Sequence, residues 1–157
     1  MSRFYCGRCR VKNLMDINHN FKIQAPIRRV YEAITSQQGI NGWWAMDADV
    51  MQRPGEISKM RFAKEAGIVE MHFRIDEMVP DKKVLWTCVS CPNPAWPGTK
   101  ISFTLLPSGS ATDFTFNHFN WDKKWKDQLP YEQTKEGWFH FMKSIKAYCE
   151  NGKGEPW

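Results

Sequence analysis

The sequence predicts an α+β domain in which a curved, seven-stranded antiparallel sheet wraps around a long C-terminal helix, with two short helices after the first strand. Three observations support this prediction. An amphipathic helical pattern lies near the C-terminus, apolar and polar residues alternate through the middle, and turn residues recur about every 8 to 12 positions. That spacing leaves no room for the crossover helices that a parallel sheet requires.

The C-terminal helix is predicted over residues 130–149, where apolar residues recur on one stripe. Pro130 suits a first helical position because its missing N–H would be unpaired there, and Gly152 with Pro156 closes the far end. The stripe comprises Tyr131, Thr134, Trp138, Phe141, Met142, Ile145, Tyr148 and Cys149. Its large aromatic side chains need a broad apolar partner, which the predicted sheet supplies.

The other elements precede this helix. Alternation predicts strands over residues 16–23, 45–51, 56–62, 68–75, 83–89, 101–105 and 111–119. After the first strand, Pro26 opens a short helix that Gly39 is expected to end. Trp43 and Trp44 follow and are adjacent, so at most one of them should point fully inward, with the other at an edge or a mouth.

Length and composition indicate one domain over residues 15–157, preceded by a basic tail over residues 1–14. The tail contains four basic residues and no acidic one, and Met15 is a possible alternative start. Aromatic residues form 14% of the chain, with 8 Trp and 10 Phe. This excess is compatible with an apolar cavity and equally with large residues filling a core.

Charge and hydropathy favour some classes of protein over others. The net charge of +5 is distributed among acidic and aromatic residues, which favours a solvated surface over nucleic-acid binding. The chain has no apolar run of about 18 residues, so no membrane span is predicted. The N-terminus has no signal-peptide pattern, and we therefore expect a cytoplasmic protein.

Five segments occur in an order that resembles a known superfamily. They are RRVYEAITSQQGINGWW, PGEISKMRF, VEMHFRIDEMVPDKKVLWTCV, ISFTLLPSGSATDFTFNHFNW and EGWFHFMKSIKAYCE. Together they resemble the START-like helix-grip superfamily called SRPBCC, and within it most closely the family named after the activator of a heat-shock chaperone's ATPase. The resemblance covers about residues 16–150 of the sequence.

The resemblance implies an apolar cavity between the sheet and the long helix, with an apolar or amphipathic small molecule as its ligand. The residues implied to line this cavity are Trp43, Trp44, Met71, Phe73, Trp86, Phe103, Phe116, His118, Trp138, Phe141 and Met142. Their bulk predicts that they fill much of the cavity themselves. The segments CPNPAWPG and WDKKWKDQLP lengthen two loops near the helix relative to the family pattern.

Two CxxC pairs occur, one formed by Cys6 and Cys9 and the other by Cys88 and Cys91. Four thiolates in two such pairs can complete a tetrahedral zinc site. A thiol redox pair and a purely structural role for Cys88 as a small buried residue are the alternatives. Cys149 belongs to the helix stripe and is expected in the core. No metal or cofactor is assigned from these patterns.

His118 shares a strand face with Phe114 and Phe116, so it is either a proton donor or acceptor in the cavity or a hydrogen-bonded interior histidine. No inward carboxylate accompanies it, and no nucleophile elbow, P-loop or dinucleotide fingerprint occurs. The leading functional prediction is therefore a small-molecule binding domain. The alternatives are a chaperone-associated interaction protein, suggested by the resemblance, and a polyketide cyclase-like enzyme using His118.

Overall fold

The computed structural model describes residues 13–157, and within that range seven strands and three α-helices form the domain. The strands are β1 (Ile17–Ile23), β2 (Asp47–Asp49), β3 (Ile57–Lys64), β4 (Gly67–Val79), β5 (Lys83–Ser90), β6 (Lys100–Ser108) and β7 (Ala111–Phe119). The helices are α1 (Ile27–Thr35), α2 (Gln37–Trp43) and α3 (Leu129–Asn151), and a 3-10 turn at Lys123–Trp125 precedes α3. The predicted α+β architecture is confirmed. No helix in the described range has the length and apolar character needed to cross a bilayer.

The sheet is antiparallel throughout, in the order β1-β7-β6-β5-β4-β3-β2. Its longest strand, β4, shifts register against β5 between His72 and Phe73 and again between Ile75 and Glu77. Such bulges bend a strand and increase its twist, which helps the sheet to curve around α3. The second bulge interrupts the alternation of side chains after Ile75, and this is why the sequence pattern predicted that the strand ends there. The strand β4 in fact continues to Val79.

The two short helices are separated by Ser36, and the expectation that Gly39 ends the first one is wrong. Ser36 adopts an extended conformation, and its side chain accepts a hydrogen bond from the Gly39 backbone N–H, which caps α2. Gly39 lies inside α2. A Cβ there would lie 2.5 Å from the Glu32 carbonyl oxygen and 2.6 Å from the Ala33 Cα. Glycine is therefore needed where α2 crosses α1.

We expect Gly39→Ala to lower the free energy of unfolding by about 1–3 kcal/mol, because the added methyl group meets rigid backbone and overpacks the helix crossing. The matched control is Gly137→Ala in α3, where an added Cβ meets nothing within 4 Å. That substitution should raise stability by about 0.5–1 kcal/mol through helix propensity alone. Urea unfolding of both variants measures the two effects, and equal effects would contradict the close crossing.

The long helix buries the predicted stripe, except that Tyr148 is only half-buried. Ser144 is also buried, although the hydropathy pattern did not predict it. Its burial is possible because its hydroxyl donates a hydrogen bond to the Trp43 carbonyl oxygen at 2.7 Å. Gly152 ends α3 in the left-handed conformation, with φ of 82°. Side-chain hydrogen bonding therefore adds one polar residue to the apolar contact between α2 and α3.

The segment after α3 folds back over the domain. Ser144 Oγ accepts a hydrogen bond from the Glu155 N–H at 2.7 Å, and the His140 ring nitrogen Nε2 lies 2.8 Å from the Glu155 carbonyl oxygen. The Trp157 N–H donates to the Trp44 carbonyl at 2.9 Å, and the Trp157 carbonyl accepts from the Met46 N–H at the same distance. These bonds place the Trp157 ring at the end of the domain near α2.

Candidate ligand-binding cavity

A cavity of about 220 Å³ lies between α3 and the β3–β4 side of the sheet. Its lining residues are Trp44, Phe62, Lys64, Val69, Met71, Asn93, Trp96, Gln133, Thr134, Gly137, Trp138, Phe141 and Trp157. An apolar cavity of about 150 Å³ is large enough for benzene, whereas pockets for drug-sized ligands begin near about 300 Å³. The volume therefore suits a molecule of roughly one or two fused rings, or a short alkyl chain of similar bulk.

Aromatic rings form the inner wall. The Trp138 ring centroid lies 5.6 Å from that of Trp44 and 6.0 Å from that of Phe141. All three side chains are buried, and their rings contact one another. Gly137 interrupts the bulk of α3 beside them, and its missing side chain leaves open space on the helix surface. The cavity therefore has a rigid apolar wall and a gap at Gly137.

The loop between β5 and β6 forms a second wall. The Trp96 indole N–H donates to Thr134 Oγ1 at 2.7 Å, and that hydroxyl donates to the Pro130 carbonyl at 2.8 Å. The Asn93 side-chain amide donates to the same carbonyl at 3.1 Å. The loop is thereby fastened to the first turn of α3. Neither Trp96 nor Asn93 was predicted as a site residue, although the insert CPNPAWPG was a signal that could have identified them.

The mouth of the cavity is amphipathic. Trp157 is 44% exposed, stacks on the His140 ring at a centroid distance of 4.7 Å, and contacts the Phe141 ring at the same distance. The Lys64 ammonium lies 4.7 Å from the Trp157 ring centroid, a cation–π geometry. A solvent-exposed cation thus lies next to the aromatic entrance, where it can contact an anionic group outside the apolar cavity.

The structure brings four of the predicted site residues to this cavity, namely Trp44, Met71, Trp138 and Phe141. The remaining ones are buried in the surrounding core and do not line it: Trp43, Phe73, Trp86, Phe103, Phe116, His118 and Met142. Large rings occupy much of the space between α3 and the central strands. The open volume is consequently displaced toward β3, β4 and the end of the chain.

The tryptophan pair departs from prediction, because both side chains are buried, with exposed fractions of 0% for Trp43 and 1% for Trp44. Trp44 lies at the end of α2, where the chain leaves the helix with φ of −118° and ψ of −72°. That change of direction lets both rings turn inward and stack, with centroids 5.7 Å apart. The Trp43 indole N–H donates to the Ala33 carbonyl at 2.7 Å, so its polar atom is satisfied in the core.

His118 is fully buried in a chain of hydrogen bonds away from the cavity surface. The Trp138 indole N–H donates to its Nδ1 at 3.0 Å, and its Nε2 lies 2.8 Å from Thr99 Oγ1. Since Nδ1 accepts, Nε2 carries the proton and donates to Thr99, whose hydroxyl donates in turn to the Trp96 carbonyl at 2.6 Å. Desolvation by burial lowers the pKa of His118 to about 3. The ring is therefore neutral, and both of its nitrogens are occupied.

Among residues 13–157, no carboxylate lines the cavity, and His118 does not reach it. Glu70 instead lies outside, where it accepts a hydrogen bond from Arg61 Nε at 2.8 Å and lies 2.5 Å from His72 Nε2. The described residues thus place no acid–base pair at the cavity.

The cysteines are distributed between core and loop. Cys88 and Cys149 are buried, and Cys91 is half-buried. Among residues 13–157, no three or more His, Cys, Asp or Glu side chains converge in a way that could hold a metal ion. Cys6 and Cys9 lie outside the described residues, so the four-cysteine zinc hypothesis stays a prediction.

A curved antiparallel sheet gripping a long C-terminal helix, with an apolar cavity between them, defines a protein of the helix-grip class. The sequence profile of one family, described as activator of Hsp90 ATPase homolog 1-like protein, matches residues 24–150. The chain belongs to this family. A comparison with curated proteins gave no match.

Solved structures share this fold. The chain is similar to a protein from Colwellia psychrerythraea described as an Aha1 dimer, with 29% identity, a TM-score of 0.73, and coverage of 88% of this chain and 98% of that one. Protein SSP2350 from Staphylococcus saprophyticus is 21% identical, with a TM-score of 0.71 and coverage of 89% and 95%. DynU16, a putative protein in the dynemicin biosynthetic locus, is 20% identical, with a TM-score of 0.71; the match covers 88% of this chain and 48% of that one. The last two likenesses concern the fold alone.

Proposed function

We propose that this protein is a binding domain for a small amphipathic molecule, which inserts an apolar ring or chain into the cavity and leaves an acidic group at the mouth. The observation that carries the proposal is an aromatic cavity of about 220 Å³, open to solvent on one side, whose entrance is flanked by the exposed Lys64 and by Trp157. Apolar walls with a few polar groups at one end are the usual composition of a small-molecule site.

The size of the cavity also sets the expected affinity. A ligand that buries roughly 200 Å² of apolar surface gains about 5 kcal/mol at about 25 cal/mol per Å². Association also costs translational and rotational freedom, so this gain is an upper limit, and we expect a dissociation constant of roughly 0.2 mM or weaker. We therefore choose naphthoate, a bicyclic aromatic acid, as the anionic probe and methylnaphthalene as its neutral counterpart, and isothermal titration or chemical-shift perturbation as the measurement.

Gly137→Leu is expected to weaken naphthoate binding by about tenfold or more, because the new side chain projects into the open space beside Trp138 and competes with the ligand. The fold should be retained, since leucine is a better helix former than glycine. The matched control is Lys143→Leu, which introduces the same side chain on the exposed face of α3 and should leave binding unchanged. Unchanged affinity in the Gly137→Leu protein would contradict the cavity as the binding site.

Lys64→Gln tests the acidic group of the ligand separately. An exposed ion pair contributes about 0.2–1 kcal/mol, so we expect naphthoate binding to weaken by up to about fivefold. Binding of neutral methylnaphthalene should not change. The effect on naphthoate should also shrink at high salt, because the Lys64 side chain is solvent-exposed. Equal losses for both probes would show that Lys64 acts by shaping the mouth rather than by its charge.

A second candidate function, interaction with a heat-shock chaperone, is favoured by the family membership. The test is the ATPase rate of purified Hsp90 with and without this protein. A concentration-dependent increase that Gly137→Leu leaves intact would support chaperone activation independent of the cavity. No change in rate and no co-sedimentation would remove this candidate and leave the ligand-binding proposal untouched.

A further inference from the structure

We propose that the segment after α3, residues 152–157, is a strap that sets the upper size limit of the cavity ligand. Trp157 is the side chain that limits the size, and Gly154 is the residue that positions the strap. The inference rests on the proposed ligand-binding function and adds to it a reason why a bicyclic acid would be preferred over a larger aromatic acid.

The indole of Trp157 bridges the gap between α3 and the sheet. On the helix side it contacts the rings of His140 and Phe141, both at centroid distances of 4.7 Å. On the sheet side the ammonium group of Lys64, the last residue of β3, lies 4.7 Å from its ring centroid. A ligand that extends from the inner aromatic wall toward this end of the cavity therefore meets the indole, and removing the indole would lengthen the cavity in that direction.

The backbone of the strap is fixed to both of the helices that it crosses. Trp157 donates its N–H to the Trp44 carbonyl and accepts from the Met46 N–H, both at 2.9 Å, at the end of α2. Two residues earlier, the Glu155 N–H donates to Ser144 Oγ of α3 at 2.7 Å. These bonds hold the backbone of Trp157 next to the cavity, so the position of the limiting side chain depends on the attachment of the strap.

Gly154 is buried where the strap passes between α2 and α3. A Cβ at this position would lie 2.7 Å from the Gly42 carbonyl oxygen of α2 and 2.8 Å from the Ser144 carbonyl oxygen of α3. Both oxygens belong to helix backbone, which cannot move aside easily, so a side chain here would push the strap outward. Gly154→Ala should therefore detach the strap without replacing any residue that lines the cavity.

The first test compares naphthoate, which has two fused rings, with pyrenecarboxylate, which has four. We expect the wild-type protein to bind naphthoate about tenfold more tightly or better, and Trp157→Ala to reverse this preference. In that variant the two additional rings can occupy the space of the indole, whereas naphthoate loses a contact. The matched control is Trp125→Ala, which removes a half-buried tryptophan that does not line the cavity and should keep the wild-type preference.

The second test separates the position of the strap from the chemistry of its indole. In Gly154→Ala, amide hydrogen exchange measured by NMR should be about tenfold faster or more at the N–H groups of Met46, Glu155 and Trp157, because their hydrogen bonds attach the strap. The same variant should shift its preference toward pyrenecarboxylate although Trp157 is still present. Asn151→Ala, at the exposed end of α3, is the matched control and should change neither the exchange nor the preference.

The outcomes distinguish this inference from the binding proposal on which it rests. Naphthoate binding with the same preference in the wild type and in Trp157→Ala would overturn the size limit and leave the binding function intact. Unchanged hydrogen exchange in Gly154→Ala, or faster exchange with an unchanged preference, would overturn the role of Gly154 and of the strap. If neither acid binds to the wild type or to either variant, both the size limit and the binding function are overturned.

Discussion

Replacing Trp138 by alanine is expected to lower the free energy of unfolding by about 3–5 kcal/mol, the usual cost of removing a large aromatic side chain from a core. The Trp138 side chain is 2% exposed, and its ring centroid lies 4.4 Å from that of Phe116 and 6.0 Å from that of Trp96. The alanine variant would merge the space left by the indole with the existing cavity. Urea unfolding followed by far-ultraviolet circular dichroism measures the loss.

The polar part of this effect can be isolated with Trp138→Phe. Phenylalanine keeps most of the ring contacts but removes the N–H that donates to His118 Nδ1, so a fully buried acceptor loses its partner. We expect a cost of about 1–3 kcal/mol from the unpaired acceptor. Trp125→Phe, at a half-buried position, is the matched control and should cost about 0.5 kcal/mol or less. Similar costs for the two variants would contradict an important role for the Trp138–His118 hydrogen bond.

His118 is expected to make the protein acid-sensitive. Because burial lowers the pKa of His118 to about 3 in the folded state, the unfolded chain, with an ordinary pKa near 6.5, binds the proton more readily. The stabilisation from neutral His118 is therefore fully present above about pH 6.5 and is lost as the pH falls toward 3. Between pH 7 and pH 4 this one group should cost roughly 3 kcal/mol of unfolding free energy.

Comparison with His118→Gln separates this contribution from that of the carboxylates. The pKa of Glu150, for example, is lowered by the Gln24 backbone N–H and by Lys146, so this residue also loses stabilisation in acid, but it does so in both proteins. The variant is expected to be less stable than the wild type at pH 7 and to lose roughly 3 kcal/mol less between pH 7 and pH 4. Equal losses in the two proteins would contradict a buried neutral imidazole.

The sequence by itself determined the fold class, because each element of this domain buries one face. A helix with one apolar stripe and strands with alternating apolar residues have periods of 3.6 and 2, which are visible in any short window of sequence. Trp138, Phe141 and Met142 are accordingly buried on α3 as predicted. The order of the elements and the resemblance of five segments then indicated the helix-grip arrangement.

The sequence did not determine where the cavity lies, since an inward-facing position can either fill the core or line an opening. Phe103 and Phe116 face inward as predicted but fill the core together, with ring centroids 5.5 Å apart. Hydropathy does not separate these cases, because the distinction depends on which rings meet across strands and helices that are distant in the sequence.

Only the tertiary structure showed which residues form the cavity. Trp96 lines the cavity because its indole N–H donates a hydrogen bond to Thr134. Trp157 lines it because its backbone forms hydrogen bonds with the backbones of Trp44 and Met46. The Trp96–Thr134 pair is separated by 38 residues in the sequence, and Trp157 is more than 100 residues from both of its partners. No local sequence pattern encodes such pairings. Local periodicity specified the elements and their buried faces, while long-range hydrogen bonds and ring packing decided where space remained between them.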